Sequence, residues 1–168
     1  MTDLFPSADA VIVQVEGGFS NDSADPGGAT KFGIAHNKHP EISDAAWQAF
    51  TFADAQAIRR TYWDACRCAQ MPWPMSLAVY DDAINSGADA AARRLQHVLG
   101  VTVDGKIGPR TLAAFPNPVD RTFFKFMFQR AAAYATDQNA ARFLNGWLNR
   151  LVIITEAARW APEEVGTV

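Results

Sequence analysis

Apolar residues along this chain recur at helical spacing, in blocks punctuated by glycine and proline. Ala8, Val11, Ile12 and Val15 fall on one stripe, and Ser7 is placed to cap a helix that runs to about residue 16 and stops at Gly17-Gly18. Residues 19–35 carry no helical period; Asp25-Pro26-Gly27-Gly28 predicts a tight turn there, with room for a small hairpin. Helical spacing returns from Ser43 to about Arg67, and Thr51-Phe52-Ala53-Asp54 reads as a capping box that restarts the helix near residue 51.

Pro72 and Pro74 precede a helix through Leu77, Tyr80 and Ile84 that ends near Asn85-Ser86-Gly87, and another is expected over Ala90 to Leu99. Pro109 suits the first turn of a short helix carrying Thr111, Leu112 and Phe115, after the turn-rich stretch 100–109. Phe124, Met127, Phe128, Ala131 and Ala135 predict one apolar face. Leu144, Trp147, Leu148, Leu151 and Ile154 predict another, so the two C-terminal helices should pack as a hairpin. The expected class is mainly α, with at most a minimal β-hairpin near residues 19–35.

The chain has 168 residues, enough for one compact unit or a core with a small appended lobe. Hydrophobic residues make up 49% and charged residues 20%, which excludes an intrinsically disordered chain. A net charge of −3 gives no sequence-wide footprint for phosphate backbones, so nucleic acid is not the expected partner. No apolar run reaches the ~20 residues of a membrane span, and Met1-Thr2-Asp3-Leu4 lacks a basic start, so synthesis as a soluble cytoplasmic protein is expected. Cys66 and Cys68 are expected as free, partly buried thiols. His36, His39 and His97 show no zinc spacing, and no metal or cofactor is expected.

Glu16 is the candidate for chemistry. It sits at the edge of the first apolar stripe, in the last helical turn, where the macrodipole and burial both favour the protonated acid. Such a group can donate a proton to a glycosidic oxygen. Asp25, in a solvated turn nine residues on, is expected to stay ionised and act as base or cation stabiliser, and Thr30 can orient a water. Phe19 and Trp73 are candidate ligand platforms or core packing residues, and Asn85, at a helix end, either bonds a ligand or caps the helix.

Glu16-Gly17-Gly18-Phe19, with Asp25-Pro26-Gly27-Gly28-Ala29-Thr30-Lys31-Phe32-Gly33-Ile34, resembles the signature of glycoside hydrolase family 108 muramidases, found among phage endolysins and bacterial secretion-activator proteins. The resemblance implies a lysozyme-like helical fold with Glu16 as catalytic acid. The order Glu16, Asp25, Thr30 is also similar to the catalytic triad of phage lysozymes, with the Asp-to-Thr gap one residue shorter. Tyr80 to Gly87, followed by Ala91 to Gln96, continues the resemblance, except that Asp82 stands where the family usually has an apolar residue. That change is expected either to expose or to recharge this helix face. Val103-Asp104-Gly105-Lys106-Ile107-Gly108-Pro109-Arg110-Thr111-Leu112 is similar to the signature of peptidoglycan-binding lobes.

The resemblance therefore implies a catalytic region over residues 1–95 and a helical peptidoglycan-binding-like lobe over 96–168, packed on the same core. The implied reaction is hydrolysis of the β-1,4 bond between N-acetylmuramic acid and N-acetylglucosamine in peptidoglycan. A lytic transglycosylase and a non-enzymatic wall-binding or secretion-helper module are the alternatives. A monomer is expected, acting on glycan strands in the wall after passage through a holin or a secretion apparatus, without inserting into the membrane itself.

Overall fold

The structure, a computed structural model, describes residues 3–16 and 30–160. Helix α1 spans Phe5–Glu16, and a two-stranded antiparallel hairpin follows, β1 over Thr30–Lys31 and β2 over Ile34–Ala35, with Thr30 opposite Ala35 and Lys31 opposite Ile34. Then come α2 (Asp44–Gln48), α3 (Phe52–Ala65), α4 (Met75–Ser86), α5 (Ala88–Leu99), α6 (Pro109–Ala113), α7 (Asp120–Ala135) and α8 (Ala140–Ala158). The mainly α class and the small hairpin agree with the sequence pattern. The predicted turn at Asp25 to Gly28 lies outside the described residues.

Local chemistry sets the boundaries. Thr51 caps α3 by accepting the amide of Asp54, whose carboxylate accepts the amide of Thr51 in return at 2.8 Å, completing the capping box. Gly87, at φ 89°, separates α4 from α5, and Gly100, at φ 70°, ends α5 in the left-handed region that glycine tolerates. Pro109 occupies the first turn of α6, where its missing N–H costs nothing. The start of α1 departs from expectation: Ser7 lies inside the helix, and Asp3 instead accepts the amide of Phe5 at 3.1 Å.

One core runs through the molecule. Phe5, Ile12, Trp63, Met75, Leu77, Tyr80, Leu95, Phe126, Leu151 and Ile154 are buried in it, so helices from both halves of the chain share an interior. A smaller cluster of Ile34, Trp47, Phe50 and Ala55 fixes the hairpin, with His36 stacked on Trp47 at 4.6 Å between ring centroids. Lys31 adds to this anchor by donating to the carbonyls of Trp47 and Gln48 at the end of α2. Cys66 and Cys68 are free but fully rather than partly buried, and burial pushes the Cys68 thiol up.

The predicted inner face of α7 is rotated. Phe124 and Phe128 are 60% and 69% exposed, while Phe123, Phe126, Arg130 and Tyr134 turn inward. The cause lies on α4, where Asp81 and Asp82 are both buried and Arg130 pairs with each, at 2.6 Å and 3.3 Å. Asp82 thus does not expose its helix face but recharges it, and Arg130, Arg94 and the Ser86 hydroxyl surround the carboxylate. Carboxylates in the interior require guanidinium partners.

A second buried charge lies on α1. Asp9 accepts from Arg59 Nε at 2.6 Å, from Gln56 at 3.0 Å and from the Tyr80 hydroxyl at 2.8 Å, tying α1 to α3 and α4. Burial works to raise its pKa, but the hydrogen bonds from Arg59, Gln56 and Tyr80 outweigh it and hold the carboxyl below the ordinary aspartate value. The same environment pushes the Tyr80 phenol up, through burial and the adjacent Asp9 charge. Below about pH 4 an unfolded Asp9 takes up a proton that the folded chain refuses, so this contribution is full above that pH and is lost as pH falls further. Wild type should lose unfolding free energy as pH falls below about 4. Asp9→Asn should be less stable at pH 7 and show a shallower acid slope in denaturant titrations.

Candidate functional site

Glu16 closes α1, so its side chain projects from the last helical turn. It is 24% exposed, and Oε1 accepts from Arg150 Nη1 at 2.5 Å. Above the carboxyl lies the turn of the hairpin. Phe32 and Gly33, at φ 52° and 80°, are the two residues between β1 and β2, a mirror-image type I′ turn. A Cβ on Gly33 would sit 3.1 Å from both Cβ and Cγ of Glu16 and 3.6 Å from Oε2, so only glycine lets the turn rest there unstrained. Among the described residues, nothing donates to Oε2.

Behind Glu16 runs a chain of alternating charges. Arg150, on α8, also contacts Asp81 Oδ1, through Nε at 2.9 Å and Nη2 at 2.8 Å. Asp81 Oδ2 accepts from Arg130 at 2.6 Å; Arg130 in turn meets Asp82, and Asp82 meets Arg94. Three carboxylates and three guanidiniums therefore balance across α1, α4, α5, α7 and α8. Burial disfavours the Arg150 charge, but Asp81 and Glu16 more than offset it and raise the guanidinium pKa. Arg130 is held charged in the same way, against its own burial, by Asp81 and Asp82.

The sequence-predicted site residues fare differently. Glu16 faces the hairpin turn, but with a guanidinium on one oxygen rather than in the apolar setting the stripe suggested. Thr30 lies on β1 of that hairpin and is partly buried. Asn85, in the last turn of α4, donates to the Tyr134 hydroxyl at 2.6 Å, and that hydroxyl also accepts from Arg130, so Asn85 borders the charge chain. Trp73 packs on the main core and donates its indole N–H to the Ala158 carbonyl at 3.1 Å, which fixes the end of α8. Phe19 and Asp25 lie outside the described residues. Arg150 had no local signal, since it stands 134 positions from Glu16 within an apolar helix.

The glycine-rich loop after α5 is organised by one buried side chain. Gln96 Nε2 donates to Asp104 Oδ1 at 2.7 Å and to the Lys106 carbonyl at 3.0 Å, while Oε1 accepts the amides of Asp104 and Gly105. The Gln96 contact and the Lys106 amide hold the Asp104 carboxyl below its usual range. Gly105, at φ 77°, leaves no room for a Cβ beside Asp89 and Arg93. A cavity of about 660 Å³ is lined by this loop together with Thr111 and Arg110, and Glu16 is not part of its wall.

Comparison with known proteins matches the chain to two family models, one described as glycosyl hydrolase 108 over residues 10–87 and one as a predicted peptidoglycan domain over residues 90–152. Among solved structures it is similar to SagA of Brucella abortus, with 32% identity, a TM-score of 0.79 and coverage of 91% of this chain and 92% of that one. No curated protein matches it by sequence. Arg150 falls within the second matched segment and its partner Glu16 within the first.

Loss of the Gln96 side-chain amide would leave the Asp104 and Gly105 amides without their partner and remove the donor to the Lys106 carbonyl. Gln96→Leu should therefore cost about 1–3 kcal/mol in chemical denaturation, the range for polar groups left unpaired. An unchanged midpoint would show that the loop holds itself.

Proposed function

The chain belongs to the glycosyl hydrolase 108 family, and from that footing we propose that it is an N-acetylmuramidase that cleaves the β-1,4 bond between N-acetylmuramic acid and N-acetylglucosamine, with Glu16 as general acid. The glycosyl hydrolase and peptidoglycan family matches support a lysozyme-like role on peptidoglycan. The observation that carries the finer reading is the asymmetry of Glu16: one oxygen is held by Arg150 and the other is turned toward the hairpin.

That asymmetry assigns work to each oxygen. Because Arg150 donates to Oε1, a proton carried by the carboxyl belongs on Oε2, where a glycosidic oxygen can take it. Once the proton leaves, the carboxylate that remains faces a guanidinium already in place, so no reorganisation is needed as charge develops. Arg150 is thus a positioning residue, itself oriented by Asp81. On the sugar, an oxocarbenium-like charge develops as the bond breaks. Asp25 supplies the opposing carboxylate and Thr30 orients the water in this scheme, following their order in the sequence.

Glu16→Gln should lower muropeptide release from purified peptidoglycan by about a thousandfold, within the usual range for loss of a general acid, while the far-UV spectrum and melting behaviour stay close to wild type. Mass analysis should give reducing ends; products lighter by one water would make the enzyme a lytic transglycosylase, and sacculus binding without any release would make it a binding module. Arg150→Lys keeps the charge and loses the fork that joins Glu16 to Asp81. It should reduce kcat about tenfold or more with a smaller change in KM.

A further inference from the structure

We propose that Phe32 and Phe52 form an aromatic wall that stacks the apolar face of an N-acetylhexosamine ring beside Glu16. The inference rests on the glycan-cleaving reading above and adds a sugar-binding subsite to it.

The first observation is the backbone of Phe32. A two-residue type I′ turn needs positive φ at both positions, which Asn, Asp and Gly accept readily and a bulky aromatic residue does not. Phe32 nevertheless adopts φ 52°. Burial of its ring does not compensate for this, since Phe32 is 39% exposed. A residue that is unfavourable for the turn and only partly packed calls for another use, and strained backbone gathers where ligands bind.

The second observation is that the ring is built into a stand. Phe52, in the first turn of α3, meets it edge to face with centroids 5.9 Å apart and is itself 43% exposed. The Phe32 carbonyl accepts from Arg59 Nη1 at 2.9 Å, and the Arg59 guanidinium lies 5.3 Å from the Phe52 ring. Arg59 is locked in turn by buried Asp9. The Phe32 backbone and the Phe52 ring therefore both lean on Arg59 before any ligand arrives, which lowers the ordering cost of binding.

The third observation is position. Gly33, the next residue, lies against Glu16, and adjacent Cα atoms are 3.8 Å apart, so the Phe32 Cα falls within about 9 Å of the Glu16 carboxyl. That places the backbone carrying Phe32, with Phe52 against its ring, within about two sugar lengths of the group assigned to protonate the glycosidic oxygen. The axial C–H groups of a β-linked N-acetylhexosamine present the flat apolar surface that such rings cover.

The test uses Glu16→Gln protein, which binds without cleaving, and a β-1,4-linked N-acetylglucosamine hexamer as probe. Phe32→Asn is the decisive second substitution, because Asn suits the type I′ turn while removing the ring. Its melting temperature should hold or rise, and its affinity for the hexamer, measured by calorimetry, should fall about tenfold, in line with the loss of one aromatic stacking contact. Phe52→Leu should weaken binding similarly, and Phe52→Tyr should restore it. Hexamer binding should also shift the Phe32 and Phe52 ring protons upfield or downfield by NMR.

Unchanged affinity in Phe32→Asn, or no hexamer binding when both rings are intact, overturns the proposal. So does a Phe32→Asn protein that melts lower and binds normally, since the ring would then serve packing alone. Wild type that cleaves peptidoglycan while Phe32→Asn retains full affinity removes the aromatic wall and keeps the hydrolase. Conversely, a wild type that never cleaves, paired with ring-dependent hexamer binding, removes the hydrolase and keeps the wall.

Discussion

The contact between Arg150 and its two carboxylates holds the candidate site together. Arg150 is the point at which the last helix reaches the end of the first, and Asp81 keeps it there by accepting from its Nε and pairing with its Nη2. A buried network of this kind is not a large net source of stability, because desolvating each charge costs about what the pairing returns. Its effect is on arrangement. Once Asp81 and Asp82 are inside, the helices that pack on α4 must bring guanidiniums to them, and only one rotation of α7 and one of α8 does so.

That constraint explains which parts of the structure were legible from the residues in order. Helix ends depend on neighbours, and the Thr51 capping box, Pro109 and the glycines at 87 and 100 each act within a turn of their own position. The face of α7 depends on distant residues. Counting apolar side chains favoured Phe124 and Phe128, yet Arg130 turns inward because its partners lie 49 and 48 positions earlier, at Asp81 and Asp82. Glu16 illustrates the same limit at the site. Its place at a helix end was readable from the stripe, whereas the guanidinium beside it came from 134 residues away.

Two family models meet at one ion pair, which bears on how the chain is organised. Glu16 lies in the segment matched to glycosyl hydrolase 108 and Arg150 in the segment matched to a peptidoglycan domain, and both segments contribute to one core. The C-terminal helices are therefore part of the scaffold of the Glu16 site. The loop from Asp104 to Lys106 has a folding role of its own, since Gln96 takes up its amides and a carbonyl from inside. A sequence signature at that loop records, at least in this chain, the geometry that a buried glutamine requires.

The hairpin shows how two adjacent residues can be selected by different pressures. Gly33 is set by space: its α-carbon faces the Glu16 side chain at a separation that leaves no comfortable place for a methyl group. Phe32 answers to no such limit, and turn preferences alone would put Asn or Asp there. The carbonyl of Phe32 is held by Arg59, the ring rests on Phe52, and Arg59 is fixed by Asp9, so a buried pair in the core stiffens the turn nearest Glu16. The Asp9 and Arg150 networks thus reach Glu16 by separate routes, one through the backbone of the turn and the other through the carboxyl itself. A proton donor needs both, because its reach is set by where its oxygen points and by what stands across from it.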